Sequence, residues 1–133
     1  MSPESRAVLV VEDDADLRAW IVGVLRRVEY PVLEAADGLR ALHVIEQHEP
    51  AADTIGLILL DVMLPFLSGV EFIRGLADYL SDIPVVAISG SLTELAEASA
   101  AGATDVLAKP FSADALLSLV ARHWPPPRGQ AAG

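Results

Sequence analysis

The sequence predicts a doubly wound α/β domain, a five-stranded parallel sheet with five helices distributed on both faces. Five short apolar runs alternate with five segments of helical spacing along the 133 residues. Most of the runs are continuously apolar rather than alternating, the mark of strands covered on both faces. A strand–helix alternation of this length closes with right-handed crossovers into an open sheet.

The first strand is expected at residues 7–11. A helix follows, with Leu17, Ile21, Val24, Leu25 and Val28 on one apolar stripe and Asp14 as its N-cap. The second strand is expected at residues 30–34, and Asp37 caps a second helix running to about His48. The third strand is placed at residues 56–60. Val70, Ile73, Leu76, Ala77 and Leu80 stripe the third helix. The fourth strand is placed at residues 84–88, and Ser91 with Glu94 three residues on reads as a capping box for the fourth helix. That helix is thin in large apolar residues, offering only Leu92 and Leu95, so it is expected to be mobile. The fifth strand is placed at residues 105–108. Ser112 caps the last helix, whose stripe is Ala113, Leu116, Leu117, Val120 and Trp124, and three prolines stop it.

Composition narrows the function classes. The residues are 53% hydrophobic, enough to fill one core, and the formal net charge is −10. Such a surface repels phosphate backbones and anionic lipid, which argues against nucleic-acid binding and against membrane insertion. There is no cysteine, so disulfides, thiol chemistry and Cys-ligated metals are excluded. The polar start, residues 1–6, shows no signal peptide, and the apolar runs are too short to span a bilayer. A cytoplasmic location is expected. Residues 1–5 read as an N-terminal tail, 6–124 as the domain, and 125–133 as a disordered C-terminal tail.

In an open parallel sheet, ligands bind beyond the carboxyl ends of the strands. The first strand ends in Glu12, Asp13 and Asp14, the third in Asp61, the fourth in Ser89 and the fifth in Lys109. Clustered carboxylates repel, at roughly 1–4 kcal/mol for a pair about 4 Å apart. A hard divalent cation with oxygen ligands offsets that cost, and magnesium suits one or two carboxylates, waters and a phosphate oxygen. Asp61 is then the nucleophile, since a carboxylate can form an acyl phosphate. Magnesium, Lys109 and Ser89 could each face one oxygen of the transferring phosphoryl group, where catalysis is mainly positioning and cationic stabilisation.

The runs VLVVEDDADLR, LILLDVMLPFLSG, PVVAISG and DVLAKPF resemble, in order, the signature segments of response-regulator receiver domains. The resemblance covers about residues 6–124 and points to a chemotaxis-regulator-like, single-domain member. It implies a flavodoxin-like strand order of 2-1-3-4-5. It also implies that Asp13 holds magnesium directly and Glu12 mainly through water, with the Met63 backbone carbonyl as a further ligand. Asp61 would be the phosphorylated aspartate, Ser89 the switch hydroxyl, and Lys109 the lysine of a Lys-Pro step that is usually cis. The implied role is a two-component phosphoacceptor rather than an enzyme in its own right, although one that assists its own phosphorylation and dephosphorylation. Its donor would be a sensor histidine kinase or a histidine phosphotransfer protein, and its target a further protein.

Some residues depart from the family pattern. Val106 stands where an aromatic switch is usual, Phe66 and Ser68 stand for Gly and Asp, Gly90 follows the switch hydroxyl, and residues 50–56 are a few longer than usual. A degenerate receiver that binds partners without phosphorylation is the alternative reading. An aspartate-nucleophile hydrolase of the haloacid-dehalogenase type wants a second aspartate where Met63 stands, and a flavin carrier wants a Ser/Thr/Gly-rich first loop. His43, His48 and His123 lack metal-ligand spacing and read as ordinary surface or boundary residues. Trp20 and Trp124 read as packing residues.

Overall fold

Strands β1 (Ala7–Val11), β2 (Val32–Ala35), β3 (Ile55–Asp61), β4 (Val85–Ser89) and β5 (Asp105–Ala108) pair in parallel in the order β2-β1-β3-β4-β5. This computed structural model describes residues 6–48, 51–65, 67–76 and 82–124. The two expected tails, Phe66, and the Ala77 and Leu80 end of the third helical stripe lie outside the described residues.

The three central strands are buried along their whole length, while the edge strands β2 and β5 are partly open. Side chains alternate between two cores, because successive strand residues point to opposite faces. Val8, Val10, Leu57, Leu59, Val86 and Ile88 face α1 (Ala15–Arg27) and α6 (Ala113–His123). Leu9, Val11, Ile58, Leu60, Val85 and Ala87 belong to the opposite core. There α2 (Gly38–Gln47), α3 (Ala51–Thr54), α4 (Gly69–Leu76) and α5 (Leu92–Ala101) contribute residues such as Ile45, Ala51, Phe72 and Ala98.

Four expected N-caps form. Asp14 accepts from the Asp16 and Leu17 N–H groups, Asp37 from Arg40, Ser91 from Glu94 and Ser112 from Ala115. A further one, not foreseen, opens α4: Ser68 Oγ accepts the Glu71 N–H at 3.2 Å and Glu71 Oε1 accepts the Ser68 N–H at 3.4 Å.

The expected boundaries shift in places, for identifiable reasons. The second strand starts at Val32, not Tyr30, because the Tyr30 N–H closes the end of α1 on the Leu25 carbonyl at 3.1 Å. Val28, expected on the buried stripe, is the C-cap and 49% exposed. The connection at residues 50–56 absorbs its extra length in the single-turn α3, a sixth helical element beyond the five expected, which buries Ala51.

The end of α1 carries a local strain. The Glu29 N–H bonds the Arg26 carbonyl and the Tyr30 N–H the Leu25 carbonyl, so Glu29 takes the left-handed position of a Schellman cap at φ 69°. A side chain there is disfavoured, and glycine is the residue that tolerates it. Glu29→Gly is therefore expected to stabilise the fold by about 0.5–1 kcal/mol. A urea midpoint that falls would contradict the assignment.

Candidate functional site

The carboxyl ends of β1 and β3 meet where the strand order reverses, and the acidic residues gather there. β1 continues into Glu12, whose N–H bonds the Ala35 carbonyl at 3.1 Å. Glu12 is 2% exposed, and its Oε2 accepts the Asp14 N–H at 3.1 Å. Asp13 projects into solvent. Asp61, 3% exposed, ends β3 opposite Ile88 of β4. One carboxylate oxygen from each of Glu12, Asp13 and Asp61 lies within 4.8 Å of the others.

Lys109 supplies the counter-charge. Its N–H bonds the Ser89 carbonyl at 2.9 Å, which anchors the residue at the end of β5, and the Lys109–Pro110 peptide is cis, as the resemblance implied. Its Nζ lies 2.9 Å from Asp61 Oδ2 and 3.4 Å from Glu12 Oε1. Burial works against this ammonium, but the bond to Asp61 and the two carboxylate charges outweigh it and raise its pKa above the usual lysine value.

Glu12 moves up too. Burial, followed by sharing of a proton with Asp61, pushes its pKa to about 7, against the opposing pull of the Asp14 N–H and of Lys109. When ionised, Glu12 Oε1 is a buried oxygen with no hydrogen-bond donor, and its nearest cation is the ammonium at 3.4 Å. A buried charged oxygen left this way is costly. The donor set, three carboxylates with one such oxygen, fits a hard divalent cation.

Contacts not foreseen from the sequence complete the site. The Met63 N–H donates to Asp61 Oδ1 at 2.8 Å, so the turn after β3 fixes this carboxylate. The Met63 side chain points out, 64% exposed. Arg18 Nη1 donates to the Glu12 carbonyl at 2.8 Å while its Nε pairs with Glu34 at 3.4 Å, tying the acidic loop to α1 and β2. Polar contacts made through backbone groups leave almost no trace in side-chain patterns.

Ser89 ends β4 and is 1% exposed. Its Oγ donates to Glu94 Oε1 at 2.7 Å and accepts the Ser91 N–H at 3.0 Å. The expected capping box is thus half formed. The Glu94 N–H reaches Ser91 Oγ at 3.3 Å, but the Glu94 carboxylate goes to Ser89 instead of returning to Ser91. Val106 is partly buried against the α2–α5 core.

Trp124 packs as expected, tilted on Tyr30 with ring centroids 4.9 Å apart. Trp20 does not. It is 41% exposed, tilted on Phe111 at 5.8 Å, and lines a cavity of about 480 Å³ with Leu17, Lys109, Pro110 and Phe111. Among the three histidines His123 is engaged, its Nε2 lying 2.8 Å from Asp105 Oδ2. That contact, with Arg122 behind it, lowers the Asp105 pKa.

The structure is a five-stranded doubly wound sheet with buried carboxylates, a hydroxyl and an ammonium at its carboxyl edge, the edge at which such open sheets bind ligands. Residues 8–121 match the family model of the response regulator receiver domain, and the chain belongs to that family. It is 36% identical over 123 residues to the alkaline phosphatase synthesis transcriptional regulatory protein SphR of Synechococcus elongatus, covering 88% of this chain and 48% of that one. The fold superposes on the chemotaxis protein CheY4 of Vibrio cholerae with a TM-score of 0.78 and 29% identity, over 89% of this chain and 98% of that one. For the receiver domain of NtrX from Brucella abortus the TM-score is 0.79 and the identity 31%, over 87% and 96%. The chain spans about half the length of the curated relatives it matches. Among the described residues no helix is long and apolar enough to cross a membrane.

Proposed function

We propose that this receiver domain is a phosphoacceptor, taking a phosphoryl group onto Asp61 in a magnesium-dependent reaction. The observation that carries the reading is the convergence of Glu12, Asp13 and Asp61 within 4.8 Å, with Lys109 Nζ at 2.9 Å from Asp61. Glu12, Asp13, Asp61 and the Met63 carbonyl would hold the ion, which supplies positive charge at the phosphoryl oxygens. An Asp61 carboxylate oxygen attacks phosphorus, the phosphorus–nitrogen bond of a phosphohistidine breaks, and the imidazole leaves. The Met63 N–H orients the nucleophile, and Lys109 turns from the carboxylate to a phosphoryl oxygen. Ser89 donates to another.

The donor is read as a histidine kinase or a histidine phosphotransfer protein. The half-open apolar groove of Leu17, Trp20, Pro110 and Phe111 beside Lys109 supports a protein donor. The net charge of −10 favours a protein target over direct nucleic-acid contact by this domain. Where relatives are named as transcriptional regulators, the part of their length that this chain does not cover is the candidate for that role. The convergence of the Glu12, Asp13 and Asp61 carboxylates with the Lys109 ammonium supports phosphorylation over the phosphorylation-independent alternative.

Incubation with acetyl phosphate and magnesium should add one phosphoryl mass to the native chain and none to Asp61→Asn. An equal adduct in chelator, or on the variant, would sink the proposal.

A further inference from the structure

A serine hydroxyl has one proton to donate, and the proton of Ser89 is already committed. Its acceptor, Glu94 Oε1 at 2.7 Å, is a carboxylate on the first turn of α5. The backbone arrangement permits this. Ser89 Oγ takes over the Ser91 N–H, at 3.0 Å, which a reciprocal capping box would have assigned to Glu94. The carboxylate is thereby released to face inward. Hydrogen bonds to a charged acceptor are the stronger kind.

We propose that Glu94 is a latch on the switch hydroxyl: its carboxylate and a phosphoryl group on Asp61 compete for the single proton of Ser89. This rests on the phosphoacceptor reading above. Once Ser89 turns to the phosphoryl group, Glu94 loses its inward partner and the first turn of α5 is released. Beyond the Ser91 cap and the buried Leu95, few contacts hold that turn. Leu92 is 79% exposed, and α5 buries only Leu95 and Ala98. Gly90, next to Ser89, has open space where a side chain would be. Glu94 is thus a positioning residue. It acts through Ser89 and touches no reacting atom.

The test is a titration of the chain with beryllofluoride, a phosphoryl mimic, in magnesium chloride. Replacing the Glu94 side chain leaves its N–H on Ser91 Oγ, so the helix cap survives. Glu94→Ala is expected to bind the mimic about tenfold more tightly, the worth of one hydrogen bond to a charged acceptor. Glu94→Gln, a neutral acceptor, should fall between Glu94→Ala and the native chain. In a Ser89→Ala background, Glu94→Ala should change nothing, because the competition needs the hydroxyl. Unchanged or weaker binding by Glu94→Ala overturns the latch. So does an equal gain in the Ser89→Ala background, which would mark a general charge effect. A native chain that binds no mimic overturns the phosphoacceptor reading and the latch together. Normal native binding with non-responding Glu94 variants overturns the latch alone.

Discussion

Gly69→Ala is expected to destabilise the domain by roughly 3 kcal/mol, the upper range for overpacking where nothing can yield. A methyl group on Gly69 would lie 2.6 Å from the Val62 Cα, 3.0 Å from the Asp61 carbonyl oxygen and 3.1 Å from the Val62 carbonyl oxygen. All three are backbone atoms, so no side chain can swing aside. The Gly69 N–H also bonds the Val62 carbonyl at 2.9 Å, which draws the start of α4 onto the turn that follows Asp61. Relieving the clash means pulling that turn away, and with it the Met63 N–H that orients Asp61. Gly23→Ala is the natural comparison. Gly23 sits mid-helix in α1 with open space around it, so alanine there should add about 0.5–1 kcal/mol. Urea unfolding of both variants reads the difference. A Gly69→Ala midpoint within error of the native one would mean the close approach is wrong.

In chelator, stability is expected to fall as pH rises from about 4.5 to about 7. The cause is Glu12, whose folded-state pKa of about 7 stands above its ordinary value of 4.5. Between those values the folded chain keeps a proton that the unfolded chain has released, so each step up in pH favours unfolding. The full loss, on the order of 3 kcal/mol, is reached above the folded-state value. Two other groups act in separate windows. The lowered Asp105 pKa contributes stability present above 3.8 and lost in acid, as pH falls through its folded value. The raised Lys109 pKa contributes stability present below 10.5 and lost in strong alkali, as pH rises through its folded value. Glu12→Gln should flatten the profile between pH 4.5 and 7 and exceed the native chain in stability at pH 8. A native profile as flat as that of Glu12→Gln would rule out the buried acid pair.

The two wells of side-chain information in this chain were of unequal depth. Continuous apolar runs at β1, β3 and β4 and polar residues at strand ends were enough to anticipate the parallel sheet and to nominate Glu12, Asp13, Asp61, Ser89 and Lys109. Local chemistry likewise announced the caps at Asp14, Asp37 and Ser112, since a cap is decided within three or four residues. The α3 turn gave no such signal, being a four-residue element without a stripe. The Ser68 cap carries the Ser–Glu spacing of a capping box, yet it opens a helix whose apolar stripe drew the eye away from that start.

What the sequence by itself determined, then, is the layering of the domain and the residue types at its carboxyl edge, because burial periodicity and strand termini are one-dimensional properties. Partner choice among those residues was decided by the tertiary structure alone. The Glu94 carboxylate went to Ser89 rather than to its own helix cap, because the end of β4 lies against the start of α5 and offers a buried hydroxyl at 2.7 Å. The electrostatic strain settled on Glu12, because it is enclosed with Asp61 and Lys109. Gly69 became indispensable because a helix start meets strand backbone at 2.6 Å from where a side chain would begin. Each outcome depends on distances between segments remote in the chain, and energies that fall steeply with distance and change sign with burial cannot be read along one dimension.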